Sequence, residues 1–346
     1  MGNSQWRLET TLNLTLLNAK DAGVLDQIEI IVSDWGSVIP LKDVLSLVPE
    51  AEKNVKFLHI PKKISDKEQK DSKFAEVLAL NSAARRVSGD YIGRIDNDTI
   101  IGFEFFQNFF SVTRNKSNLL FDPEDSFLFV ERRSVPYRFS SKSYSLKNVQ
   151  LFLLLFGQKL KIESAREWSK PFWWSPVGIM IFHKNIWHEC RGYDERLLYW
   201  GWMEGDLALR LEQKHKLIDF RDHVGNYLYH LEHYPSLISY KDRNGAATPR
   251  KKNEVITQCL SYKTNDSEWG LHKYKLELES YKIPSVHNYK DPQFKKSYWL
   301  LFPIRMIKLR VLLIVDFLQV EGLEKAIHTV SRFKIKVGKI KKIINI

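Results

Sequence analysis

Apolar and polar positions follow two different periods along the first half of the chain. Phe74, Val77, Leu78, Ala84 and Val87 recur at helical spacing, so the pattern predicts a helix over Asp71 to Ser88, stopped by Gly89-Asp90. Trp6 to Asn18 and Phe103 to Phe110 carry the same kind of pattern. Between them lie short β-branched runs bounded by turn residues. These are Ile28 to Ser33, closed by Asp34-Trp-Gly-Ser37; Val55 to Ile60, stopped by Pro61; and Tyr91 to Ile95, which runs into Asp96-Asn97-Asp98. Strand–helix–strand alternation predicts a mostly parallel sheet with helices on its faces. In such sheets ligands bind beyond the carboxyl ends of the strands. Asp34 and Asp96 to Asp98 fall at such ends.

The second half is less regular. Ser126 to Glu131 and Val177 to Phe182 read as strands, Leu146 to Phe156 and Glu204 to Lys216 as helices. Lys161 to Trp174 reads as an aromatic loop with Trp168, Phe172, Trp173 and Trp174. Arg243 to Asn253 is polar, with Gly245 and Pro249, and marks a boundary. These features divide the chain into residues 1–115, 116–242 and a C-terminal extension, 243–346.

Composition narrows the classes. The 346 residues are 44% apolar and 27% charged, which is globular composition and excludes wholesale disorder. The formal charge is +12, but residues 291–346 hold 12 Lys/Arg against 4 Asp/Glu, so most of the excess lies in the tail. No helix-turn-helix, zinc-finger or RNP-like pattern accompanies it, so nucleic acid is not the expected partner. Cys190 and Cys259 cannot form a disulfide framework and read as reduced thiols. Met1 to Asn18 lacks the apolar core of a signal peptide. Tyr298 to Val320 is interrupted by Pro303, Arg305, Lys308, Arg310 and Asp316, so it does not read as spanning. Together these features predict a cytoplasmic protein. The basic apolar stretch 298–346 suits either an anionic membrane surface, which would make the protein peripheral on the inner face of the plasma membrane, or a helix packed on the domain.

Three constellations can carry chemistry. Asp96-Asn97-Asp98 places two carboxylates at a strand end, where oxygen ligands suit Mg²⁺ or Mn²⁺ bridging phosphates; an Asx turn capping the next helix uses the same residues. The EF-hand spacing is absent. Glu204 and Asp206 open a helix directly after Trp200-Gly201-Trp202, an aromatic platform for sugar faces beside a carboxylate able to accept a hydroxyl proton; first-turn capping is the simpler account of the acids. In Tyr229-His230-Leu-Glu-His233, either His230 or His233 offers a neutral imidazole to a metal, or serves as a structural residue.

Taken together, these segments resemble the GT-A-fold glycosyltransferases. Asn81-Ser-Ala-Ala-Arg-Arg-Val-Ser-Gly-Asp-Tyr-Ile-Gly-Arg-Ile-Asp-Asn-Asp98 is similar to the family's helix–strand–DxD segment. Gly192 to Leu211 resembles the Gly-Tyr-Asp-Glu … Trp-Gly-Trp … Asp-Leu … Arg-Leu segment of galactosyltransferase-like and family 2-like members. Tyr229 to His233 resembles the His-bearing strand that follows, and Glu29 to Ser37 the second strand. The resemblance covers about residues 6 to 240. The strand that opens the family's fold has no counterpart ahead of Trp6.

The resemblance implies a GT-A, Rossmann-like fold and a metal-dependent, inverting hexosyl transfer from a nucleotide-sugar, UDP-linked first, to a glycan or lipid-linked acceptor in polysaccharide or glycolipid assembly. On the donor side it implies Asp34 at the base or ribose, Asn81 and Arg85 at the base or diphosphate, and Asp96 at the ribose or sugar. Asp98 with His230 or His233 would hold Mn²⁺ or Mg²⁺. Glu204 would be the general base, with Asp206 as its alternative. Trp200, Gly201 and Trp202 would shape the acceptor site. A non-catalytic nucleotide- or membrane-binding member of the fold is the second expectation.

Overall fold

The computed structural model describes residues 4–115, 119–163, 178–199, 201–233, 252–253, 256 and 261–283. Most of the aromatic loop 161–174, Trp200, most of the boundary 243–253, Cys259 and the basic stretch 298–346 lie outside them.

The chain opens with α1 (Ser4–Asp21), longer than the predicted helix and enclosed on almost every side. Leu14 packs with Ile100, Val135 and Phe139, while Leu12 and Leu16 pack with Leu45, Leu47 and Phe57. A helix wedged between two clusters has no single apolar stripe, and its buried polar residues must be satisfied. Asn13 therefore donates to Ser46 O (3.1 Å) and accepts from Val48 N (2.8 Å), and Asn18 donates to Ile101 O (2.8 Å).

After α1 come β1 (Ile30–Trp35), the single turns α2 (Leu41–Val44) and α3 (Ala51–Asn54), β2 (Val55–Ile60), α4 (Lys62–Glu68) and α5 (Glu76–Ala84). Next are β3 (Tyr91–Arg94), β4 (Thr99–Ile101), α6 (Phe103–Arg114), β5 (Ser126–Val135), α7 (Tyr137–Ser140) and α8 (Leu146–Phe156). The remainder is β6 (Ile162–Glu163), β7 (Gly178–His183), α9 (Lys184–Cys190), α10 (Met203–Leu211), β8 (Lys216–Asp219), α11 (Arg221–Val224), β9 (Leu228–Leu231) and β10 (Glu279–Ser280). Helix α5 starts five residues later than the periodicity predicts, because Ser72 turns the chain by bonding Phe74 at both its N–H and its carbonyl. Helix α10 ends at Leu211, so the predicted continuation to Lys216 becomes the turn into β8.

The fold is α/β, but the expectation of a mostly parallel sheet is corrected: the sheets are mixed. One has the order β1-β2-β10, with β1 parallel and β10 antiparallel to β2. The other runs β3-β7-β5-β9-β4, with β6 and β8 also on β5. Here β7 is antiparallel to both β3 and β5, and β4 is antiparallel to β9, whereas β8 and β9 run parallel to β5. Side-chain periodicity reports that a segment is extended and which face is buried; it carries no strand direction.

Strand β5 organises the curled sheet. Its first half lies between β7 and β8, and its second half, from Arg132, meets β6 and β9. Strands from both sides of residue 115 therefore share one sheet. The C-terminal residues 261–283 return to the N-terminal half: β10 pairs with β2, and the Tyr281 hydroxyl donates to Leu45 O while accepting from Leu47 N. Among the described residues no helix is long and apolar enough to cross a membrane.

The turn at Gly192 locks α5 to the segment before α10. Gly192 has φ +70°, and a Cβ there would lie 2.3 Å from Asn81 Oδ1. Gly192→Ala should lower the unfolding free energy by roughly 2–4 kcal/mol, from left-handed strain plus displacement of the Asn81 bonds. Urea denaturation monitored by circular dichroism measures it.

Candidate metal and carboxylate site

The register of four strands, joined in three pairings, assembles the site. Pairing of β4 with β9 sets Thr99 opposite His230, and Leu231 N donates to Asp98 O (2.8 Å). Pairing of β5 with β6 sets Arg132 opposite Glu163, and β5 with β9 sets Ser134 opposite His230. The Asp96–Asp98 turn, Arg132, Glu163 and His230 thus meet at one place, although 67 residues separate Glu163 from His230.

Asp98, His230 and His233 form the metal-competent group. One ligand atom from each lies within 4.8 Å of the others. Asp98 Oδ1 is 3.4 Å from His230 Nε2, and Asp98 Oδ2 is 3.0 Å from His233 Nδ1. Behind His230, Glu163 Oε1 lies 3.0 Å from Nδ1, and Glu163 Oε2 accepts from Arg132 Nε at 2.7 Å. A carboxylate on Nδ1–H turns the Nε2 lone pair toward Asp98, an arrangement that orients metal-bound imidazoles. Glu163, His230 and Glu232 form an overlapping group with weaker claim, since Glu163 is already committed to Arg132.

Electrostatics match this geometry. Burial opposes ionisation of Asp98, but His230 and Arg132 hold its carboxyl well below the usual range. Burial and Arg132 both disfavour a charged His230, yet Glu163 and Asp98 outweigh them and push it up to about 10. A proton and a cation compete for the same imidazole lone pair. The group is therefore built to hold positive charge.

A second cluster adjoins the first through Asp96. Asp96 accepts from Arg132 Nη1 and pairs with Arg94 Nη1 at 2.9 Å. The other terminal nitrogen of Arg94 serves Glu76 Oε1 at 2.8 Å and Glu204 Oε1 at 3.1 Å. These carboxylates remain reachable by solvent, with 33% of the Glu76 side chain, 31% of Asp96 and 21% of Glu204 exposed. Burial raises the Glu204 pKa against the pull of Arg94. Burial, with repulsion from Glu204 and Asp96, pushes Glu76 up to about 7.

Glu204 sits in the first turn of α10, whose entry is unusual. Gly201 has φ +88° and Trp202 φ +72°, so a bulky residue occupies the left-handed region immediately before the helix. Asn253 holds this turn, donating to Tyr199 O and Gly201 O and accepting from Tyr199 N. Strain maintained by surrounding bonds is characteristic of functional turns.

The other predicted residues are placed as follows. Asp206 is wholly buried, accepting from Arg210 Nε at 2.8 Å, while Arg210 also donates to Gly192 O and Tyr262 O. Asn81 spends its amide on Tyr193 N, Tyr193 O and Glu195. Arg85 donates to Ser267 O and Trp269 O and lies 4.9 Å from the centre of the Trp269 ring. Asp34 is buried at the end of β1, where Oδ2 accepts from Leu41 N and meets His59 Nδ1; its Oδ1 has no partner among the described residues. Glu76, Arg94, Arg132, Glu163 and Asn253 were not anticipated. Only Arg94 left a signal, a cation within the apolar run Tyr91 to Ile95.

No protein-family model matches this sequence, and no curated protein matches it significantly.

Two results are expected. Glu163→Gln should weaken Mn²⁺ binding about 10–100-fold by releasing the orientation of His230, measured by calorimetric titration. Between about pH 4.5 and 7 the folded state holds a proton on Glu76 that the unfolded chain has released, so this group makes stability fall as pH rises through that window. Glu76→Gln should flatten the decline, read from urea midpoints at a series of pH values.

Proposed function

We propose that this chain is a metal-dependent, inverting glycosyltransferase of the GT-A type. It moves a sugar from a nucleotide-sugar, UDP-linked first, to a hydroxyl of a glycan or lipid-linked acceptor at the cytoplasmic face of a membrane. The observation that carries the reading is the junction at Asp96. On one side lies Asp98 with two imidazoles; on the other, through Arg94, lies the helix-borne Glu204.

The chemistry needs both sides. Breaking the anomeric carbon–phosphate oxygen bond leaves a diphosphate, whose growing charge needs a cation. Asp98, His230 and His233 would hold that cation; one carboxylate with two imidazoles suits Mn²⁺ better than Mg²⁺. A bound ion supplies the charge stabilisation of the leaving group. Glu204 takes the proton of the acceptor hydroxyl as its oxygen forms the new bond to the anomeric carbon. Its raised pKa brings its basicity closer to neutrality, which favours that role. Asp96 orients the donor between Arg94 and Arg132. Asn81 and Arg85 are committed to internal bonds, so the donor-side reading rests on Asp96, Asp98 and the histidines.

One observation favours a second reading. Arg94 already pairs with Glu204, as it would in a protein that binds nucleotide without transferring sugar. Calorimetric titration of UDP separates the readings. Mn²⁺-dependent binding lost in Asp98→Ala supports the donor site; equal binding with and without metal overturns it. In a screen of UDP-sugars, Glu204→Gln should keep UDP binding and lose turnover by roughly 10²–10⁴-fold. UDP binding without any turnover in the unsubstituted protein selects the second reading.

A further inference from the structure

The carboxyl ends of β1 and β2 carry a surface that the catalytic reading does not use. In the loop after β1, Val38 is 84% exposed and Ile39 62%, held out just before Pro40. Phe74 is 46% exposed. Single exposed apolar residues are ordinary; here Val38 and Ile39 are consecutive and both stand out. Gly36 lies so close to α4 that a Cβ on it would meet Ser65 Oγ at 2.3 Å and Lys62 Cα at 3.8 Å. Trp35 donates to Gln69 Oε1 (2.9 Å) and packs edge-on against Phe74, with centroids 6.4 Å apart. The loop, α4 and residues 69–74 therefore form a single rim.

That rim is basic. Lys62, Lys63, Lys67, Lys70 and Lys73 are all exposed. Its acids are already neutralised: Lys62 pairs with Asp66 at 2.8 Å, Lys252 pairs with Asp71, and Lys273 pairs with Glu68 at 3.0 Å. Lys63, Lys70 and Lys73 make no ion pair among the described residues, and Lys67 acts on Glu68 only through space. The rim also flanks the candidate site, since Phe74 is two residues from Glu76, which bonds Arg94.

We propose that this rim docks on an anionic lipid bilayer, with Val38 and Ile39 entering the interface and the unpaired lysines lying over headgroup phosphates. Protruding aliphatic side chains on a rim that also carries exposed lysines match the physics of interfacial binding, in which apolar insertion and attraction to anionic lipid add. A purely acidic polypeptide would engage the lysines but leave the Val-Ile pair in water, whereas a bilayer buries it. This surface is built from residues 35–74 and not from the stretch 298–346, and it does not depend on the glycosyl-transfer reading, because its test reads no activity.

The test is co-sedimentation of the full chain at low salt with vesicles of phosphatidylcholine containing one part in three phosphatidylglycerol, and with phosphatidylcholine alone. The chain should partition onto the anionic vesicles. Val38→Asp/Ile39→Asp and Lys63→Glu/Lys67→Glu, each checked for an unchanged urea midpoint, should each lower partitioning at least about tenfold. An environment-sensitive dye on Ile39→Cys, in a Cys259→Ser background with Cys190 buried, should shift to the blue with anionic vesicles and not with polyglutamate. No partitioning by the unsubstituted chain, or unchanged partitioning of Val38→Asp/Ile39→Asp with no dye shift, overturns the proposal. Loss in the lysine variant alone, together with binding to polyglutamate, overturns it in favour of an acidic polypeptide partner.

Discussion

Five carboxylates, those of Glu76, Asp96, Asp98, Glu163 and Glu204, share one region with two guanidinium groups. Such crowding is sustainable only where each acid meets a cation or a donor, because an uncompensated charge in the interior is far costlier than a paired one. Arg94 and Arg132 meet that demand by bridging. Arg94 reaches Glu76, Asp96 and Glu204, and Arg132 reaches Asp96 and Glu163. Asp96 is common to both, so the connections run unbroken from Glu204 through Arg94, Asp96, Arg132, Glu163 and His230 to Asp98 and His233. With neutral histidines this set is net negative, which is why His230 is so basic and why a divalent cation suits the group.

The backbone is shaped around that line of charge. Arg132 lies where β5 passes from one set of neighbours to the other, so a single strand presents it to both β6 and the Asp96–Asp98 turn. Consecutive left-handed residues at Gly201 and Trp202 start α10 so that its first turn delivers Glu204 to Arg94. Asn253 keeps that turn in place from a distant part of the sequence.

Polar residues near the site divide into those that face it and those that brace it. Asp206 and Arg210 form a fully buried pair that fixes α10 against Gly192 and Tyr262. Asn81 binds the backbone of Tyr193 and the side chain of Glu195, and Arg85 and Arg86 bind backbone carbonyls within 267–276. The bracing explains how a helix bearing a strained entry turn stays registered on a sheet whose strands come from both halves of the chain.

From the sequence alone, the α/β class, most of the long helices, the strand runs at β1, β2, β3, β5 and β7, and the candidate ligands Asp98, His230 and His233 were legible. Helical periodicity, β-branched runs and turn residues are local signals, and a carboxylate at a strand end stands out against its apolar neighbours. Tertiary structure alone decided strand direction, which is why a mostly parallel sheet was expected and a mixed one is found. It also decided which acids meet which cations. Glu163 and Arg132 come together through strand register, and Glu76 and Glu204 through a shared guanidinium, at separations that no local pattern records. Asn81, Arg85 and Asp206 have side-chain chemistry suited to ligands, yet Asn81 and Asp206 are turned inward and Arg85 is spent on the carbonyls of Ser267 and Trp269. A polar residue type shows what it can bond to, and only the packed neighbours show what it does bond.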